Sequence, residues 1–304
     1  MERNSERTPE KSSERYQYPF ESHYLTIDGV RIHYVEQGWG EPVLMVHGQP
    51  TWSYLWRNII PVIAENYRAI AIDLMGFGLS DKPTHRRYSF AEHTAILRGF
   101  IDTLELKNLT LVLHDWGGPI GLDYAVYHQE NIKKLLLLNT FATVDFKLPW
   151  IFKAAFRSPL LADFLVCRLN AFGILAPRFG VRRKLDKRVL QNYREPHPDY
   201  ASRIGVAQFP RNIPCGPRDA SYEPIRAISQ ALATSLIPTL FMIGDKDPVT
   251  AYIDPRPLAE RMSNARIKVI KEAGHYLQED QPEAVAQGIL EFLKEADETF
   301  LPNS

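Results

Sequence analysis

Short apolar runs recur along this chain at Val43–Val46, Arg68–Asp73, Leu109–His114, Lys134–Leu138 and Thr239–Ile243, with helix-patterned stretches between them. Runs of this near-continuous kind suit parallel strands covered on both faces, because a half-exposed strand alternates instead. The intervening pattern predicts helices over Tyr54–Glu65, Phe90–Leu104 and Pro119–Tyr127. A hairpin comes first, with His23–Ile27 and Arg31–Glu36 joined by the strong turn pair Asp28-Gly29. A helix around Pro257–Met262, a strand Ile267–Ile270 and a helix Pro282–Glu295 close the series. The expectation is an α/β core over residues 18–144 and 231–304, built on a mostly parallel central sheet flanked by helices.

Residues 145–230 interrupt that alternation. They are helical in pattern, rich in Phe, Arg and Pro, with turn signals at Pro177, Pro196-His197-Pro198 and Pro214-Cys215-Gly216-Pro217. We read them as a helical cap inserted into the core. Residues 1–17 are dominated by Glu, Arg, Ser and Lys and read as a flexible N-terminal arm without the apolar stretch of a secretory signal. The most apolar part, Trp150–Leu175, is broken by Lys153, Arg157, Asp163 and Arg168, so it falls short of the roughly 20 apolar residues an integral membrane segment needs.

Lys and Arg total 36, as do Asp and Glu, so no net field favours nucleic acid. The balance is uneven along the chain: Lys147–Arg188 carries ten Lys and Arg against Asp163 and Asp186. A solvated rim is the plainer reading of that excess, an oligomer or acidic-partner surface the alternative. Two cysteines, Cys167 and Cys215, are too few for a disulfide framework and suggest a reducing, cytoplasmic setting.

The chemistry concentrates at Leu113-His114-Asp115-Trp116-Gly117-Gly118. A strand, a sharp turn and a helix of small residues form a nucleophile elbow, which lifts one side chain above the carboxyl ends of the strands. Here that side chain is Asp115. A carboxylate needs no base to attack carbon and forms an ester, so it suits displacement at saturated carbon rather than ester or peptide cleavage. A helix N-cap is the structural alternative for this Asp. His275, in Glu272-Ala273-Gly274-His275 directly after the last strand, is the candidate base that activates water against the ester. The acid that orients it is Asp247, with Asp245 expected to close the Gly244-Asp245-Lys246-Asp247 turn as an Asx cap. Backbone N–H groups of Trp116 and of Gln49, in the loop after Val43–Val46, are the expected oxyanion donors, and their side-chain N–H groups are candidates for holding a departing anion.

Three runs, His47-Gly48-Gln49-Pro50-Thr51-Trp52-Ser53-Tyr54-Leu55-Trp56-Arg57, Asp73-Leu74-Met75-Gly76-Phe77-Gly78-Leu79-Ser80-Asp81-Lys82-Pro83 and His114-Asp115-Trp116-Gly117-Gly118, closely resemble the haloalkane dehalogenases. The resemblance implies an α/β-hydrolase fold and a hydrolase that converts a halogenated alkane and water to an alcohol, a halide ion and a proton through an alkyl ester on Asp115. It implies no metal and no organic cofactor. Two departures stand out. Gln49 occupies a position where many members carry Asn as the second halide donor, and its side chain is one C–C bond, roughly 1.5 Å, longer. Where some members place a Glu acid, this chain reads Asn139-Thr140-Phe141-Ala142. An epoxide hydrolase with the same nucleophile is the alternative, since Tyr193, Tyr200 and Tyr222 lie in the cap and an alkoxide needs a proton. A non-catalytic binding protein on this fold is the rival from another class, and the complete Asp115, Asp247 and His275 set argues against it.

Overall fold

The computed structural model describes residues 18–295 except 148, 152, 153 and 155–157. The expected N-terminal arm therefore lies outside the described residues, as do Lys153 and Arg157 of the basic segment. Eight strands form one sheet: β1 (Ser22–Ile27), β2 (Val30–Gln37), β3 (Pro42–Val46), β4 (Arg68–Ile72), β5 (Leu109–Asp115), β6 (Ile132–Thr140), β7 (Thr239–Gly244) and β8 (Ala265–Ile270). Their spatial order is β1-β2-β4-β3-β5-β6-β7-β8. β1 and β2 form the hairpin, with Asp28 and Gly29 both at positive φ, and β2 pairs antiparallel with β4. All other pairs are parallel.

The continuous apolar runs are explained by a sheet buried on both faces. On β6, Leu135 and Leu137 join one core cluster while Leu136 and Leu138 join the other. Helices α1 (Phe90–Thr103) and α2 (Gly117–Tyr127) cover the first face, and the C-terminal helix packs on the second. Helix α1 opens on a capping box between Ser89 and Glu92. The single helix expected over Tyr54–Glu65 is instead two short pieces, Ser53–Trp56 and Ile60–Ile63, and Pro61 sits in the first turn of the second. Proline suits a helix start but not an interior, which favours the break.

Between β6 and β7 the chain leaves the sheet for α3 (Pro159–Arg168), α4 (Ala171–Phe179) and α5 (Lys187–Arg194), then returns through α6 (Tyr222–Ala233). Pro177 does not end α4 as its turn signal suggested; it lies within the last turn of that helix. α6 buries Ile225, Ile228 and Leu232 in the same cluster as α2 and so packs on the sheet's flank. The last described helix is α7 (Pro282–Lys294), whose last carbonyls accept from the buried Lys134 ammonium at 3.0 and 3.1 Å. A cation is favoured there by the partial negative charge of a helix C-terminus.

Strand order reverses beside β3: the chain steps to β4 on one side and later to β5 on the other. The crevice at the carboxyl ends of β3 and β5 is where such sheets bind ligands, and it receives the β3 loop and the β5 elbow together.

Candidate active site

Asp115 closes β5 with φ +50°, a left-handed conformation that costs energy for a non-glycine residue and must be held by its surroundings. Those surroundings are close-packed. A Cβ on Gly48 would overlap the Asp115 side chain, one on Gly117 the Val46 carbonyl, and one on Gly118 the Thr140 hydroxyl. Thr140 Oγ1 donates to the Asp115 carbonyl at 2.5 Å, pinning the turn from β6. The elbow thus needs glycine where backbone and side chain meet.

The carboxylate is caught from two directions. Gln49 N–H donates to Asp115 Oδ1 at 2.7 Å, and the Trp116 backbone N–H donates as well. His275 Nε2 stands 3.5 Å from Asp115 Oδ2, while its Nδ1 is 3.0 Å from Asp247 Oδ2. Burial alone would raise the Asp115 pKa; the hydrogen bond and charge of His275, with His114 and the Trp116 N–H, lower it below its ordinary value. Burial pushes His275 the other way, yet the carboxylates of Asp247 and Asp115 outweigh it and hold the imidazole up at about 10. The resting site is therefore an ionised carboxylate beside an imidazolium, which is a ready nucleophile with no proton to lose.

The alpha/beta hydrolase fold family model matches residues 41–282. A haloalkane dehalogenase of Mycobacterium tuberculosis is 33% identical, over 90% of this chain and 95% of that protein. The chain belongs to the haloalkane dehalogenase family of α/β-hydrolases. Within this family's reach, cis-3-alkyl-4-alkyloxetan-2-one decarboxylase of Shewanella oneidensis is 37% identical over 92% of this chain and 90% of that protein. Among solved structures, the haloalkane dehalogenase DatA from Agrobacterium tumefaciens superposes with a TM-score of 0.82 at 27% identity, covering 90% of this chain and 95% of that one.

Beside Asp115 this dehalogenase-family chain holds a cavity of about 250 Å³, walled chiefly by apolar side chains such as Phe141, Phe146, Ile213, Val249 and Ile253, and lined also by Asp115, Trp116, Asp247 and Tyr252. Trp116 is wedged edge-on between Phe141 and Phe209, and among the described residues its indole N–H has no hydrogen-bond acceptor. Gln49 is placed differently from the reading that aimed its amide at a departing anion. Its Nε2 donates to Val206 O at 2.6 Å, on the cap, and Gln49 is not among the cavity's walls. The longer side chain ties the β3 loop to the cap, leaving the backbone N–H facing Asp115.

Asp247 combines two tasks. Its Oδ1 accepts from Val249 N at 2.8 Å, capping the helical turn Pro248–Ala251, while Oδ2 faces His275. The cap expected from Asp245 is thus made by Asp247, whose position puts one oxygen on each partner.

Three positioning residues escaped the sequence reading. Asn139, at φ +39°, accepts from Gly244 N at 2.9 Å and donates to the Gly274 and His275 carbonyls at 2.8 and 2.9 Å. His114 Nε2 lies 3.0 Å from that same His275 carbonyl and, with the carbonyl as acceptor, carries the proton there. Asp280 accepts from Gly274 N at 2.7 Å and from Arg182 N and Arg183 N, joining the histidine loop to the cap. For Asn139 the signal was a polar Asn-Thr pair directly after the apolar run Leu135–Leu138. Of the cap tyrosines, Tyr193 donates to buried Glu279 at 2.5 Å and Tyr200 to Asp163, and neither these nor Tyr222 lines the cavity.

Proposed function

We propose that this protein is a haloalkane dehalogenase, a hydrolase that cleaves carbon–halogen bonds of halogenated alkanes. The observation that carries the reading is an ionised aspartate, rather than a serine, on a buried elbow beside an apolar cavity. Asp115 Oδ2 attacks the halogen-bearing carbon, the carbon–halogen bond breaks, and the halide leaves toward the Trp116 indole N–H. Forming the ester removes the Asp115 charge, so His275 loses one of the two carboxylates that kept its pKa high. With its pKa lowered, His275 releases its proton to solvent and, now neutral, takes a proton from water; the hydroxide adds to the ester carbonyl, and the developing oxyanion is met by the Gln49 and Trp116 backbone N–H groups. Asp247 supports the imidazolium, and alcohol, halide and a proton are the products. The unpaired cysteines suit a reducing, cytoplasmic setting. Tyr193, Tyr200 and Tyr222 thus drop out as proton donors for an epoxide hydrolase, and Tyr252 is the tyrosine that stands in the cavity wall.

A second reading has its own support. Gln49's amide is engaged by Val206, so a halide would meet only one side-chain donor, and a relative at 37% identity is an oxetan-2-one decarboxylase. On such a ring Asp115 would displace the ring carboxylate from C4. Loss of CO₂ would then expel Asp115 and leave an alkene, with no water consumed. Incubation with 1-bromobutane and with a cis-3,4-dialkyloxetan-2-one separates the two. Bromide and butanol without alkene are expected; alkene and CO₂ without bromide release would replace the first reading with the second.

A further inference from the structure

The outer face of α3 is apolar where a surface helix is normally polar. Its inner side packs Ala162 and Cys167 on Ala207, while Leu160, Leu161, Phe164, Leu165 and Leu169 point outward, Leu160 at 84% and Phe164 at 52% exposure. Phe179 at the end of α4 is 73% exposed, and Trp150, four residues beyond the cavity wall at Phe146, is 79% exposed. Exposed large apolar side chains gathered on one short helix mark an interaction site. Exposed Arg168, Arg178, Arg182, Arg183, Lys184 and Lys187 belong to the same segment, against Asp163 and Asp186. As the whole chain is neutral, the excess of eight positive charges over Lys147–Arg188 is balanced by an equal negative excess in the rest of the sequence, so basic character is concentrated in this segment.

We propose that this face of the cap docks on the surface of an anionic lipid bilayer. Leu160, Phe164 and Leu165 enter the headgroup boundary while the Arg and Lys side chains meet lipid phosphates, the arrangement of an interfacial amphipathic surface. The two helices bend by 76° at their junction, and among the described residues no single helix is long and apolar enough to cross a membrane. The face therefore lies on the bilayer. A second copy fits less well, because an isologous contact would set the basic excess against itself.

Co-sedimentation with vesicles tests this. The full chain is expected to bind phosphatidylcholine vesicles containing about 30% phosphatidylglycerol, to ignore pure phosphatidylcholine, and to be released at about 0.5 M salt, where the Debye length is about 4 Å. Leu160→Ser/Phe164→Ser/Leu165→Ser and, separately, Arg178→Glu/Lys184→Glu are expected to cut partitioning about ten-fold or more with circular dichroism unchanged. Equal binding to both vesicle types, no binding to either, or a dimer in sedimentation that the Leu160/Phe164/Leu165 variant converts to monomers would overturn the proposal.

Discussion

In the proposed reaction the pair Asp115–His275 works because alkylation changes the charge between them. With both carboxylates ionised, His275 titrates near 10 and is protonated at neutral pH; with Asp115 esterified, one of its two supports is gone and it becomes a base. His275→Phe is therefore expected to leave displacement intact and stop hydrolysis, so that intact-protein mass spectrometry after a bromoalkane finds an adduct on Asp115. No adduct, or one on another residue, would remove Asp115 from its role. The two candidate anion donors separate by leaving group. Trp116→Phe should slow chloride substrates more than iodide ones, since the poorer leaving group depends more on a donor. Gln49→Ala should slow both by a similar factor, because its amide bonds Val206 rather than the cavity. Steady-state rates on matched chloro- and iodoalkanes measure this. Asp115, His275 and Asp247 were readable because each follows a strand in a loop whose residue types are diagnostic. Gln49's rotamer was not, since it depends on a cap carbonyl 157 residues away.

At the scale of elements, the elbow depends on three strands meeting. β3 supplies Gly48 and the Gln49 N–H, β5 ends on Asp115, and β6 supplies Thr140 and Asn139. Gly118→Ala would drive a methyl into the Thr140 hydroxyl and cost about 1–3 kcal/mol of stability, as overpacking does. Adding Thr140→Ala removes the hydroxyl but leaves the Cβ of residue 140 at 2.8 Å from the new methyl, so it should recover only part of the melting temperature and none of the turnover, because the hydrogen bond that fixes the Asp115 carbonyl stays lost. A double variant as active as the parent would contradict that bond's role. Most strands were legible to within two residues, since continuous apolar runs leave few alternatives in a doubly covered sheet. The broken segment at Ser53–Ile63 and the helical Pro177 were not, because local proline signals leave open whether a helix stops, starts or absorbs the missing N–H.

Across the whole molecule, burial sets the response to acid. His93 and His197 are pushed down to about 3 and His114 to about 4, chiefly by burial. Each binds a proton more readily when unfolded, so its stabilising contribution is complete above about 6.5 and is lost as pH falls toward its folded value. The slope is about 1.4 kcal/mol per pH unit for each group. Urea unfolding from pH 7 to pH 5 should record falling stability, and His93→Phe should flatten that slope by about one proton; an unchanged slope would mean that His93 protonates in place. His275 has the opposite sign: its contribution is present below about 6.5 and is lost as pH rises through about 10.

The sequence by itself determined the class of sheet, the elbow and which three side chains, Asp115, Asp247 and His275, to look for together, because hydrophobic period and short loop motifs are local properties of the chain. The tertiary structure alone decided that Gln49 grips the cap, that Asn139 and His114 hold the histidine loop from behind, and that α3 turns leucines and a phenylalanine outward. Each of these is a contact or an exposure set by distant segments, and the one-dimensional pattern of a helix or loop does not say which face its neighbours will cover.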